Sequence, residues 1–228
     1  MGKCKNDLEK EFYIRMSKKF GWTKNVLIHH IESQSYEKYL LGQTNFDKAL
    51  PGKYRHQAKL AVKDSYNFDF LGLREDHEER ELELSLVKNI RKFLLEIGGD
   101  FTFIGNQYKL ELEGEEYYID LLLYHRHLKS LVAIELKTTG FKPEYAGKMQ
   151  FYLAVLDDKV KKNDENPSIG MIICKTKKRT VVEYALKNSI SPVGVSDYSL
   201  SKILPKEFKG LLPSPDEIIR SLSYITYD

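Results

Sequence analysis

The feature that most limits the fold of this chain is a series of three apolar segments, at residues 101–114, 115–125 and 128–139. Each has the length and composition of a β-strand, and only short turns separate them. Such short connections require neighbouring strands to run antiparallel, so the series predicts a three-stranded meander. Charged side chains nevertheless interrupt the second and third segments, and a charge inside an apolar strand is unfavourable unless it is paired or binds a metal.

Helices and further strands follow the same meander along the chain. Amphipathic patterns predict helices at 74–99, 143–160 and 179–188, and apolar runs predict strands at 169–176 and 192–200. Pro143 stands in the first turn of the second of these helices, where proline is tolerated. The order β-β-β-α-β-α-β predicts an α/β fold, a mixed sheet with helices on both faces.

The sequence divides into three predicted parts. Residues 1–73 form a small, mostly helical N-terminal region, residues 74–212 hold the α/β domain, and residues 213–228 form a C-terminal tail helix. A chain of 228 residues is long enough for one large domain with small additions.

The composition argues against several classes of protein. Cys4 and Cys174 lack the short spacing of a zinc site and do not suggest a disulfide framework. The sequence has no secretory signal and no run of about 18 apolar residues, so we expect a cytoplasmic protein with no membrane contact. The formal net charge of +3 is compatible with a nucleic-acid ligand but too small to establish one.

Asp120, Glu135 and Lys137 form the candidate catalytic site. Residues two apart on a strand share a face, so Glu135 and Lys137 lie together, and pairing through the turn at 125–130 would bring Asp120 beside them. Two carboxylates and the backbone carbonyl of Leu136 suit Mg²⁺, which prefers oxygen ligands and keeps several waters. Lys137 would orient or help to deprotonate a water, or stabilise developing charge. Glu-x-Lys alone is more typical of a solvent-facing pair, but the apolar neighbours of Asp120 favour a site.

Two helical residues are further candidates. Glu83 lies on the predicted buried edge of its helix and could bind the metal or support a ligand. An exposed acid is an equally good interpretation. Glu79, one turn earlier, is the alternative. Gln150 could hydrogen-bond a DNA phosphate or position Lys137, and a polar helix edge explains it about as well.

Basic residues after strands or at helix starts could neutralise phosphates near one end of the sheet. A solvated loop is an equally good interpretation. These residues are Lys142, Lys148, Lys175, Lys177, Lys178 and Arg179.

Three long runs carry a family resemblance. "FLLEIGGDFTFIGNQYKLELEGEEYYIDLLLYH", "VAIELKTTGFKPEYAGKMQFYLAVLDD" and "NPSIGMIICKTKKRTVVEYAL" resemble the bacterial YhcG-like family, which is classed with the PD-(D/E)XK nucleases of the restriction-endonuclease-like superfamily. The resemblance covers about residues 77–215. "FGWTKNVLIHHIESQSYEK" and "DSYNFDFLGL" are similar to the last part of the helical domain that precedes the nuclease domain in that family. Because that domain usually begins further upstream, the helical region here is expected to be part of it.

The resemblance implies a nuclease fold, Mg²⁺ dependence with Mn²⁺ as a substitute, and DNA as the substrate. It places the family motif on Asp120, Glu135 and Lys137, with Glu83 and Gln150 as the helix positions. The leading hypothesis is a DNA endonuclease active in restriction, repair or mobile-element processing. The alternative is a nuclease-like module that binds DNA or protein without cutting. A homodimer, formed through the N-terminal helices or the nuclease domain, is a further expectation.

Overall fold

The computed structural model describes residues 4, 7–20, 22–32, 35–36, 43–98 and 100–200. The helices are α1 (Asp7–Phe20), α2 (Lys24–Glu32), α3 (Phe46–Ala49), α4 (Gly52–Ala61), α5 (Glu79–Lys88), α6 (Ile90–Ile97), α7 (Pro143–Lys159) and α8 (Arg179–Leu186). The strands are β1 (Gln43–Thr44), β2 (Ser65–Asn67), β3 (Phe101–Leu112), β4 (Glu115–His125), β5 (Ser130–Gly140), β6 (Ile169–Thr176) and β7 (Val193–Ser199). A short 3₁₀ helix spans Asp69–Leu71.

The seven described strands form one mixed sheet in the order β1–β7–β6–β5–β4–β3, and β2 also pairs with β7. Strands β3, β4 and β5 are antiparallel neighbours, whereas β5, β6 and β7 run parallel. The predicted meander and the predicted mixed α/β fold are therefore confirmed. Helix α7 makes the long connection that parallel pairing of β5 with β6 requires.

Helices cover both faces of the sheet because alternate residues of its central strands are apolar on both sides. On one face, Ile134 packs in a cluster with Leu82 of α5 and Phe93 of α6. On the other, Ala133 belongs to a cluster with Met149 of α7. Since strand residues two apart share a face, Glu135 and Lys137 lie on the side that α7 covers.

Gly170 on β6 allows α7 to lie close to the sheet. A Cβ atom at this position would lie 2.4 Å from Cγ and 2.7 Å from Sδ of Met149. The absence of a side chain at Gly170 therefore sets the height of α7 above β6.

The predicted helix at 74–99 was wrong in one respect, because the structure has two helices, α5 and α6, in that segment. The backbone of Asn89 lies between them outside helical geometry, at φ −106° and ψ 30°. Its side-chain Nδ2 donates to the carbonyl oxygen of Ser85 at 3.1 Å. Asparagine competes for backbone groups in this way, which explains the break.

The N-terminal part of the chain contributes two strands that the sequence did not predict. Both β1 and β2 pair with β7, the first antiparallel and the second parallel. The tail helix expected at 213–228 lies outside the described residues, and the three-part division stays a prediction. No helix in the described ranges is long and apolar enough to cross a membrane.

Candidate active site

The Asp120 carboxylate takes the place of a backbone acceptor where the hydrogen-bonded ladder of β4 and β5 ends. The last pair in their ladder is Leu121 with Ile134, so Asp120 and Glu135 are the next residues on the two strands. The backbone N–H of Leu136 donates to Oδ2 of Asp120 at 2.7 Å. The carboxylate therefore takes a donor that the ladder leaves open, which is why an acid is stable inside this apolar strand.

Glu135 has one oxygen that is saturated and one that has no partner. The side chain is 1% exposed. Its Oε1 accepts from Nζ of Lys148 at 2.5 Å and contacts Nζ of Lys137 at 3.0 Å. Its Oε2 is buried and has no hydrogen-bond partner. An unpartnered buried carboxylate oxygen is unfavourable, so this atom fits a cation ligand.

Lys137 lies between two acids. Its Nζ donates to Oε2 of Glu79 at 2.8 Å and also contacts Glu135. Burial alone lowers the pKa of Lys137, but the hydrogen bonds to Glu79 and Glu135 outweigh burial and hold that pKa above its usual value. The ammonium group is therefore protonated at neutral pH.

Asp120 is the member of the acid pair whose charged form is destabilised. Burial and, second, the charge of Glu135 raise the pKa of Asp120 from 3.8 to about 6, while the N–H of Leu136 opposes the rise. Two nearby carboxylates resist ionising together. A divalent cation between them would remove that repulsion.

The donor set fits a hard cation with few protein ligands. Within the residues that the structure describes, no group of three or more His, Cys, Asp or Glu side chains could hold a metal. Asp120 and Glu135 offer carboxylate oxygens on neighbouring strands, and the Leu136 carbonyl stays a predicted third donor. Mg²⁺ is commonly bound by one or two carboxylates and several waters, so the set suits Mg²⁺.

Three neighbouring side chains donate hydrogen bonds to the Glu83 carboxylate. It is 2% exposed, and its carboxylate accepts from Nη1 of Arg80 at 3.0 Å, from Nδ2 of Asn106 at 2.8 Å and from Nε2 of Gln107 at 2.6 Å. The same Nε2 of Gln107 lies 3.4 Å from Oδ1 of Asp120. Glu83 is thus separated from Asp120 by one amide group.

A cleft of about 490 Å³ opens beside these acids. It is lined by Glu79, Arg80, Glu83, Gln107, Tyr118 and Asp120. Glu79, which the sequence offered as the alternative to Glu83, contacts Lys137 here. The cleft gives solvent access to Asp120 from the α5 side.

Lys148, rather than Gln150, is the residue of α7 that contacts the acid pair. Lys148 and Gln150 are two residues apart, so they lie about 200° apart around the helix. Lys148 contacts Glu135. Among the described contacts, Gln150 makes none with the acid pair or Lys137, and its role stays a prediction.

The remaining basic candidates fall into two groups. Lys175, Lys177 and Arg179 have carboxylate partners, which are Glu75 for Lys175, Asp64 and Asp197 for Lys177, and Glu183 for Arg179. Lys142 and Lys178 are exposed at the residues that precede α7 and α8. Within the described part of the chain, neither has an acidic partner.

Sequence reasoning missed Gln107 and Asn106. The only available signal was the polar run "GNQ" at 105–107 within the predicted strand. A polar interruption of an edge strand has many explanations, so the run did not identify a site.

Comparison with known proteins shows the family of this chain. The family model described as the YhcG PDDEXK nuclease domain matches residues 59–213. The chain belongs to this family. A protein of Escherichia coli (strain K12) named "Putative nuclease YhcG" is 30% identical over 220 residues, which are 95% of this chain and 57% of that protein. This YhcG-family chain therefore spans little more than half the length of that relative.

Solved nucleases share a distant likeness with this YhcG-family chain. A repair endonuclease from Pyrococcus abyssi is 17% identical, with a TM-score of 0.36 over 55% of this chain and 48% of that one. An EndoMS-dsDNA2 complex is 12% identical, with a TM-score of 0.38 over 54% and 46%. Likeness at this level carries no argument about function.

Proposed function

We propose that this chain is a Mg²⁺-dependent endonuclease that hydrolyses phosphodiester bonds of DNA, in restriction, repair or mobile-element processing. Membership of the nuclease family supports the reaction class. The observation that carries the proposal is Oε2 of Glu135, which is buried beside Asp120 with no partner while two lysines neutralise the other oxygen.

Asp120, Glu135 and the Leu136 carbonyl are the proposed cation ligands, and Mn²⁺ would use the same oxygens. A bound divalent cation of this type polarises a phosphate and lowers the pKa of a bound water. The strands hold both carboxylates rigidly, since Asp120 is hydrogen-bonded to the backbone of β5. Such rigidity keeps the charges in place without reorganisation during the reaction.

The lysines have separate proposed roles. Lys137 is protonated, so it supports stabilisation of negative charge on the phosphate rather than removal of a proton. Lys148 holds Oε1 of Glu135 and thereby fixes which carboxylate oxygen is available. Lys142 and Lys178 are the exposed residues proposed to contact DNA phosphates.

A cleavage panel tests the proposal. Linear, supercoiled, branched and single-stranded DNA are incubated with increasing Mg²⁺, and cleavage is expected for the wild type but not for Asp120→Asn or Glu135→Gln. Asp158→Asn is the matched control, because Asp158 is an exposed acid on α7 paired with Lys159. Cleavage that survives both substitutions, or that needs no cation, rejects the proposal.

Calorimetric titration with Mg²⁺ separates the enzyme from the alternative module. DNA binding without cleavage and without cation binding would favour a nuclease-like module that does not cut. A homodimer and a cytoplasmic location accompany the proposal as expectations. The mass in solution, measured by light scattering, decides the first of these.

A further inference from the structure

Gln107 stands directly opposite Asp120 in the sheet. The pairs Asn106 with Leu121 and Tyr108 with Ile119 flank it on β3 and β4. The register therefore places Gln107 across from Asp120, next to the acid pair. Its side-chain amide is the group that reaches both Asp120 and Glu83.

The backbone of Gln107 adopts a conformation that is uncommon for its residue type. Its φ is +45°, in the left-handed region, although it lies within a strand and is not glycine. Such conformations are unfavourable and persist where the surroundings hold them, often at functional sites. Here the surroundings are two carboxylates that both accept from Nε2.

We infer that Gln107 is a positioning residue for Asp120, with Glu83 as its anchor. An amide NH₂ group has two protons, so it can serve Glu83 at 2.6 Å and Asp120 at 3.4 Å together. Glu83 is fixed in turn by Asn106 and Arg80. Gln107 and the N–H of Leu136 thus restrain different oxygens of Asp120. Glu83 acts through this amide and does not bind the cation.

The inference rests on the proposed cation site, and cation binding tests it without any need for cleavage. Mn²⁺ is titrated calorimetrically into the wild type and into Gln107→Met, which keeps the side-chain length and removes the donor. Loss of a group that orients a metal ligand typically weakens affinity by about 10- to 100-fold, so the Kd should rise by that factor. Equal affinity for the two proteins overturns the inference.

Two further variants separate positioning from folding. Gln107→Gly accepts the positive φ without strain, so its backbone is retained and its Kd should rise as for Gln107→Met. Glu113→Gly is the matched control, because Glu113 also has a positive φ, 52°, in the exposed turn after β3. Its Kd should match the wild type. Wild-type affinity in Gln107→Gly overturns the inference.

Glu83→Gln tests the anchor. An oxygen at this position still accepts from Gln107, so Mn²⁺ affinity should change by less than about threefold, whereas loss of a direct ligand costs more. A loss as large as that of Asp120→Asn overturns the assignment. A wild type that binds no Mn²⁺ rejects the proposed function itself, whereas a wild type that binds Mn²⁺ no better than Gln107→Met rejects only the inference.

Discussion

Nζ of Lys148 on α7 lies 2.5 Å from Oε1 of Glu135 on β5, and Nζ of Lys137 lies 3.0 Å from the same oxygen. Two ammonium groups therefore share one oxygen and leave the other without a partner. Because of this asymmetry, we expect substitutions of the lysines to have different effects from substitutions of the acids that they contact.

Replacing Lys148 with Met should separate cation affinity from DNA cleavage. Removing a positive charge beside the cation site should tighten Mn²⁺ binding by roughly 1 kcal/mol, about fivefold, the scale of a half-exposed charge pair. Cleavage should fall, because Glu135 loses the contact that fixes which of its oxygens is available. Calorimetry and cleavage rates measure the two effects, with Lys159→Met on the same helix as control. Weaker Mn²⁺ binding in Lys148→Met would contradict this role.

Asp120→Asn should stabilise the fold without cation at pH 8. The pKa of Asp120 is raised from 3.8 to about 6, so the folded state binds a proton more tightly than the unfolded state. The charged form of Asp120 lowers the free energy of unfolding. This effect is absent below pH 4, grows as the pH rises to 6, and reaches about 3 kcal/mol above pH 6. Urea unfolding at pH 4 and pH 8 should show the variant's advantage only at pH 8. Mg²⁺ should stabilise the wild type alone. A less stable variant at pH 8 would refute this account.

Glu135→Gln should have the opposite effect on stability. Glu135 is the acid that Lys137 and Lys148 share, so its neutralisation leaves buried positive charge poorly compensated. We expect a loss of about 1–3 kcal/mol at pH 8, after allowing for the exposure of Lys148. Urea unfolding beside Asp120→Asn measures it. Two variants that shift stability in the same direction would show that the acids are equivalent, contrary to the structure.

Gly170→Ala should disturb the packing of α7 on the sheet. The added methyl group would lie 2.4 Å from Cγ of Met149, and overpacking of this kind costs about 1–3 kcal/mol. The melting temperature should therefore fall. Met149→Ala in the same chain should recover part of the loss by making room, which a double-mutant cycle measures. Additive losses in the double variant would mean that the two positions do not clash.

Lys177 and Lys178 are adjacent in sequence but should behave differently. Lys177 is 7% exposed between Asp64 and Asp197, so Lys177→Met should lower stability. Lys178 is exposed, so Lys178→Met should leave stability unchanged, weaken DNA binding and reduce the salt dependence by about one phosphate contact. Binding titrations at several salt concentrations, with thermal melts, compare the pair. A shared phenotype would argue against this division.

The extent to which the sequence predicted the site follows from how local each signal is. The shared face of Glu135 and Lys137 depends only on strand periodicity, and the position of Asp120 depends on one short turn. Both could therefore be inferred. The contact of Lys148 with Glu135 depends on the rotation and height of α7, which Met149 and Gly170 set from different elements. No local pattern contains that information.

Long-range pairing explains the other omissions. Lys177 is buried between Asp64 and Asp197, which are far from it in sequence, and only the folded sheet brings the three together. The role of Gln107 depends on its register opposite Asp120 and on an unusual φ. A helix break at Asn89 depends on one side-chain hydrogen bond that competes with a strong amphipathic pattern.

The two short strands of the N-terminal region have a consequence for the sheet border. Strands β1 and β2 lie one after the other along the side of β7 that β6 does not occupy, and Phe68 donates its N–H to the carbonyl of Ser199. A chain that began at residue 74 would leave those backbone groups of β7 open to solvent and to other molecules. Open strand borders invite pairing between chains. Residues 43–68 therefore cover a border of β7 that would otherwise be free to pair with another strand.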